Sequence, residues 1–126
     1  MTYVMVSSEV EDFPAKIWAA LTLISGDNVY LYESQEAEDT METLTSSPFV
    51  EYVVLDYPIA SLNNWELVKT IKDPVIGWPH MKVTVLYEDI DQNDALEAWD
   101  AGTDLAIERD TALSDLARHI VKRGRK

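Results

Sequence analysis

The feature that most limits what this chain can fold into is an alternation. Short apolar runs take turns with longer segments whose apolar residues recur at helical spacing. Tyr3-Val4-Met5-Val6, Val29-Tyr30-Leu31-Tyr32, Phe49 to Leu55, Met81 to Tyr87 and Leu105-Ala106-Ile107 have the length and composition of buried parallel strands. Between them, Ile17, Leu21 and Ile24 form one helical stripe, Ala37, Met41 and Leu44 a second, and Leu62, Trp65, Val68 and Ile71 a third. Ala95, Leu96 and Trp99 mark a fourth helix, and Leu113, Leu116, Ala117, Ile120 and Val121 a fifth. Pro14 suits a first helical turn, Gly26 a left-handed helix end, and Ser34, Asp91 and Asp110 are candidate N-caps. Pro58 marks a turn, and Pro74, Gly77 and Pro79 a loop. Strand and helix repeated in this way predict an α/β fold: a single five-stranded parallel sheet, right-handed crossovers, and helices on both faces.

A chain of 126 residues, 47% apolar and 26% charged, suits one globular domain with its own core. That domain is expected over residues 1–122, with 123–126 a basic tail or the start of a linker. The net charge of −13 argues against nucleic acid or membrane as partner, because phosphate contacts need clustered Lys and Arg. Arg118, Lys122, Arg123, Arg125 and Lys126 do cluster, but a helix end complementing its own dipole explains them better than a nucleic-acid arm. The absence of cysteine excludes disulfides, thiolate metal sites and cysteine nucleophiles, and fits the cytoplasm, the expected location. Met1 to Val6 has no secretory pattern, and no run approaches the roughly 20 apolar residues of a membrane helix.

In parallel α/β sheets, functional residues gather at the carboxyl ends of the strands, near the reversal in strand order. Here those ends carry Ser7-Ser8, Asp56, Tyr87-Glu88 and Glu108-Arg109. Asp56, directly after Val53-Val54-Leu55, stands where a nucleophile or metal ligand would. It equally suits a turn-initiating acid before Tyr57-Pro58, and its position leaves the two readings even.

Tyr52-Val53-Val54-Leu55-Asp56, followed by Asn63-Asn64-Trp65-Glu66-Leu67, resembles the response-regulator receiver pattern. There a phosphoacceptor Asp ends the third strand, and a short Pro-containing loop leads to a DG-apolar-E-L helix start. Ala101-Gly102-Thr103-Asp104 is similar to that family's A-G-A-D segment ahead of the fifth strand. With the five-unit order, the resemblance to CheY-like receivers runs from Tyr3 to about Lys122 and implies their flavodoxin-like (βα)5 fold.

Receivers hold Mg2+ between the phosphoacceptor and an acidic pair after the first strand, because phosphoryl transfer rests on positioning and charge neutralisation. The resemblance puts Asp56 at the phosphoacceptor position. It puts the acidic pair at Ser7 and Ser8, whose neutral hydroxyls are poor ligands for a hard cation, with Glu9 next in line to reach back. The family's Thr or Ser at the end of strand four falls on Tyr87. Its hydroxyl lies too far from the backbone to make the same bond, so it either points outward or covers the pocket. The family Lys after strand five falls on Arg109 (a one-residue shift selects Glu108), its Pro neighbour on Asp110, and the aromatic switch on Ala106. Arg109 keeps the positive charge. It either pairs with Asp56 in a two-pronged geometry closed to Lys, or stays exposed and worth little.

The expectation is an atypical, pseudo-receiver: a phosphorylation-independent interaction or dimerisation module in signal transduction, not an enzyme, with no catalytic residue, cofactor or metal. Its partner is expected to be a protein (a histidine kinase, an output protein or a second copy) met through residues 91–122. There Asp91, Asp94, Asp100, Asp104 and Asp115 either select a basic surface or only keep the chain soluble. The alternative is a working phosphoacceptor, phosphorylated on Asp56, with Glu9, Glu11 or Asp12 rebuilding the Mg2+ site. A small metal-dependent hydrolase, the third reading, needs a second carboxylate cluster that the sequence lacks. His80 and His119 have no metal-ligand spacing, and there is neither a glycine-rich phosphate loop nor a nucleophile elbow. The tryptophans sit mostly at helical core-type positions, which leaves Trp78, in the Pro-Gly loop, as the expected exposed contact.

Overall fold

A computed structural model describes the backbone of residues 2–25, 28–111 and 113–125 and, apart from residues 25 and 121–125, their side chains. Strands β1 (Thr2–Ser7), β2 (Val29–Ser34), β3 (Tyr52–Asp56), β4 (Lys82–Tyr87) and β5 (Leu105–Glu108) form one parallel sheet in the order β2-β1-β3-β4-β5. The helices are α1 (Phe13–Ser25), α2 (Ala37–Ser46), the short α3 (Tyr57–Ala60), α4 (Leu62–Lys72), α5 (Gln92–Ala101) and α6 (Leu113–Arg125). This is the expected α/β architecture, with α3 added where a simple Pro58 turn is expected. Strand order reverses between β1 and β3, which is where such sheets build their sites.

The period of two along each strand sorts the core into halves. Val4, Val6, Val54 and Leu86 turn to one face and meet Ile17 and Leu21 of α1 and Leu116, Ala117 and Ile120 of α6. Met5, Val53, Leu55, Val83 and Val85 turn to the other, against Leu44 of α2, Val68 and Ile71 of α4, and Ala98 and Ala101 of α5. β3 is buried at every position, which explains its unbroken apolar run. The edge strand β5 buries no residue fully; Leu105 and Ile107 are half-buried, Ala106 and Glu108 exposed.

Several local expectations give way to packing. Asn63, Asn64 and Trp65 take left-handed backbone (φ 54°, 59° and 65°) at the start of α4, so the stripe Leu62-Trp65-Val68-Ile71 is broken. Trp65 is buried while Leu62 is exposed. On α5 the apolar face is reversed: Ala98 and Ala101 are buried, whereas Trp99 is 68% and Leu96 58% exposed. Ala98 and Ala101 join the core that holds Val68 and Ile71 of α4. At the C-terminus of α5, a Cβ on Gly102 (φ 112°) would come within 2.8 Å of Lys72 Cγ. Trp78, the expected exposed contact, instead packs partly buried against the core.

Asp91 caps α5 as expected, accepting the Asp94 N–H at 2.8 Å. Ser34 does not cap α2; the N-cap position is Glu36, and the Ser34 hydroxyl joins Thr40 and Ser7. α6 begins at Leu113, so Asp110 lies upstream of its first turn. Phe49 precedes β3 and is half exposed. The helix end expected at Gly26 lies outside the described residues.

Candidate functional site

Every helix that follows a parallel strand begins at the sheet's carboxyl rim, so the rim gathers strand ends and helix starts together. Asp56 ends β3 there, 4% exposed, with both carboxylate oxygens occupied. Oδ1 accepts from Nη1 of Arg109, which follows β5, and Oδ2 accepts the Glu9 backbone N–H at 3.3 Å. The second prong of the guanidinium, Nη2, donates to the Ser8 hydroxyl at 3.2 Å. Arg109 thus makes the ion pair with Asp56, but its fork is shared between Asp56 and Ser8 instead of closing on one carboxylate. The guanidinium also lies over the Phe13 ring, 4.8 Å from its centroid. The side chains of the pair are 15% and 5% exposed, so each charge depends on the other for compensation.

Strand parity decides which rim residues meet. Asp56 lies in register with Leu86, and Leu86 shares its face. Tyr87 is one residue further on and turns to the opposite face; Leu86, not Tyr87, lines the cleft beside Asp56. Ser7 likewise turns toward α2, where its hydroxyl bonds Ser34 at 3.0 Å and Thr40 at 2.5 Å. Ser8 faces the site, and its oxygen also accepts the Val10 N–H at 3.0 Å. Glu9 lines the cleft with an exposed side chain, and Glu88 and Asp89 stand on the opposite wall. The cleft holds about 380 Å³.

Two participants escape a reading of the sequence. Phe13, the first residue of α1, supplies the ring beneath Arg109. Tyr57 donates its hydroxyl to Asp94 of α5, and that carboxylate, helped by burial, pushes the phenol up to about 12. Both stand at helix starts after strands, the one sequence signal that would have placed them at the rim. Of the acids expected to select a partner, Asp104 is otherwise engaged. It accepts from Lys72 Nζ at 3.0 Å and from the Val83 N–H at 2.8 Å, fastening β5 to α4 and β4. His119 is exposed on α6, and the ring of His80 faces the Pro48 carbonyl oxygen at 3.2 Å.

No family model and no curated protein matches the chain. Solved structures do. A response regulator from Thermotoga maritima shares 21% identity over 100% of this chain and 99% of its own, with a TM-score of 0.78. A CheY-like response regulator receiver domain protein from Methanospirillum hungatei shares 14% over 98% and 94%, at 0.78. An orphan response regulator of H. pylori shares 18% over 98% and 97%, at 0.77. The chain therefore has the flavodoxin-like fold of response-regulator receivers. Among the described residues, no helix is long and apolar enough to cross a membrane.

The residues at the rim do not fit the Mg2+ that receiver chemistry uses. A divalent cation needs anionic oxygens turned toward it. Here Ser7 points away, Ser8 receives a guanidinium, and the cation on Asp56 Oδ1 is Arg109. Among the described residues, no three His, Cys, Asp or Glu side chains converge as a ready-made metal cluster.

Proposed function

We propose that this receiver fold serves signal transduction through protein contacts, with its phosphorylation pocket held shut by Arg109 and no metal needed. The observation that carries this is the guanidinium seated on Asp56 and Ser8. In-line attack on a phosphoryl group needs a carboxylate oxygen free and the developing charge neutralised by a metal. Both oxygens of Asp56 are engaged, and the nearest positive charge is fixed by the protein itself.

The docking surface is α5 with its neighbour β5. Trp99 and Leu96 are exposed there, amid exposed Asp91, Glu97, Asp100 and Glu108, with Ala106 exposed on the edge strand. A large aromatic set in one sign of charge suits a partner that offers a basic rim around an apolar socket, on a histidine kinase, an output protein or a second copy. Incubation with Mg2+ and a small acyl phosphate donor tests the pocket. The expected result is negligible acylphosphate, while rapid stoichiometric labelling abolished by Asp56→Asn would overturn the proposal.

A second reading, a working phosphoacceptor with a rebuilt Mg2+ site, draws on one observation: Glu9, Glu88 and Asp89 share the cleft with Asp56. It requires Arg109 to swing out. Mg2+ titration followed by amide shifts around Asp56 separates the two, since saturable binding there supports only the second.

A further inference from the structure

The sheet has an edge that its own chain leaves open. β2 lies outermost beyond β1, and among the described residues no strand pairs with its far side. The Thr2 N–H donates to the Asn28 carbonyl and the Ser8 N–H to that of Ser34, so the even-numbered residues of β2 bond to β1. Alternation turns the N–H and C=O groups of Val29, Leu31 and Glu33 outward. At one end the Trp18 indole N–H donates to the Val29 carbonyl at 2.7 Å and closes that position. Among the described residues, no such bond covers Leu31 or Glu33. Edge strands are commonly blunted by Lys, Pro or a bulge, whereas β2 reads Val-Tyr-Leu-Tyr-Glu-Ser.

A hollow lies on each face of this open half. Toward α2, one of about 400 Å³ is lined by Tyr32, Ser34, Asp39 and Glu42, among others. Toward α1, one of about 160 Å³ is lined by Val10, Glu11, Pro14 and Glu33, among others. Side chains of an added strand would alternate between the two. Tyr30 and Tyr32, two apart and so on one face, hold their ring centroids 4.9 Å apart, and Tyr30 is exposed. Rings so placed attract a guanidinium over their faces. Glu33, Asp39 and Glu42 are exposed, and among the described residues no Lys or Arg pairs with them. Charge decides the occupant. A second copy along the same edge would bring these acids against their own duplicates, in a chain of net charge −13. A basic segment meets no such repulsion.

We infer that the open half of β2 takes an extended, basic segment of a partner protein as an added strand, with Arg at alternate positions seated over Tyr30 and Tyr32 and against Asp39 and Glu42. Backbone pairing with Leu31 and Glu33 supplies attachment, and the acid-lined hollow supplies selectivity. β2 and β5 are opposite edges of the sheet, so this surface is separate from that of α5 and β5 and does not depend on the Asp56 pocket.

The probe is a short peptide alternating Arg and Val, titrated into the full chain and followed by amide shifts and hydrogen exchange. Saturable shifts centred on residues 31–34 and 39–42 are expected, with slowed exchange of the Leu31 and Glu33 N–H groups. A peptide of equal charge with Pro in place of Val cannot pair with an edge and should bind about tenfold more weakly or worse. Asp39→Asn combined with Glu42→Gln, both on the surface, should weaken the Arg-Val peptide about fivefold. Equal binding of the two peptides, shifts spread over acids elsewhere, or unchanged exchange at Leu31 and Glu33 overturns the inference. Sedimentation of the chain alone tests the other occupant: a dimer that slows exchange at Leu31 and Glu33 assigns the edge to a second copy and overturns the basic partner.

Discussion

Arg109 and Asp56, 53 positions apart in the chain, form a buried ion pair that ties the end of β5 to the end of β3. The same guanidinium reaches Ser8 after β1, so one side chain links the outer strand to the switch point of the sheet.

Removing either partner strands a charge. Arg109→Met and Asp56→Asn are each expected to destabilise the fold by about 3 kcal/mol. The double variant should lose clearly less than the sum, since the second change relieves the charge exposed by the first. Urea denaturation of the four proteins measures this; simple additivity would place Arg109 in solvent, off the carboxylate.

The left-handed run makes an expectation of sign. Glycine takes φ near +60° without strain, so Asn63→Gly or Asn64→Gly is expected to raise stability by about 0.5 kcal/mol or leave it unchanged. In a right-handed α4 the same substitution would lower it by about 1 kcal/mol. Thermal denaturation distinguishes the two.

Gly77 and Gly102 differ in kind. A Cβ on Gly77 would lie 2.0 Å from the Thr70 carbonyl oxygen, a backbone atom that cannot step aside. Gly77→Ala should therefore cost about 3 kcal/mol or more. At Gly102 the obstacle is the Lys72 side chain together with a φ of 112°, and Gly102→Ala should cost about 1–2 kcal/mol. Equal losses at both sites in chemical denaturation would contradict this ranking.

Tyr57 sets an alkaline limit. Its phenol titrates near 10 in the unfolded chain and at about 12 in the folded one, chiefly because Asp94 accepts its proton. Between these values the folded state binds more protons than the unfolded. The contribution is thus full below pH 10 and lost as pH rises toward 12. Denaturation midpoints of the parent chain and Tyr57→Phe should converge over that interval; a constant gap would exclude the hydrogen bond as the cause.

The sites of these effects were unequally legible in the chain. Strand and helix order, the burial of β3, the Asp91 cap and the strand-end positions of Asp56, Ser8 and Arg109 all follow from local pattern, because periodicity and turn chemistry act over a few residues. The face of α5 is the reverse of what its sequence predicts: Trp99 has the spacing of a core residue, yet Ala98 and Ala101 are the residues packed into the core. The left-handed backbone of Trp65 has no local signal at all, since its cause is the packing of that ring.

By itself, then, the order of residues determined the five-stranded parallel sheet and which side chains reach its rim. Whether Arg109 pairs with Asp56 or stands in water was open until the strands were in place. Parity then turned Ser7 and Tyr87 away, while Ser8 met the guanidinium with its hydroxyl, Glu9 met Asp56 with its backbone N–H, and Arg109 stood as the cation facing Asp56. A pairing across so much sequence is settled by sheet order and strand register, and neither is written in any local stretch of the chain.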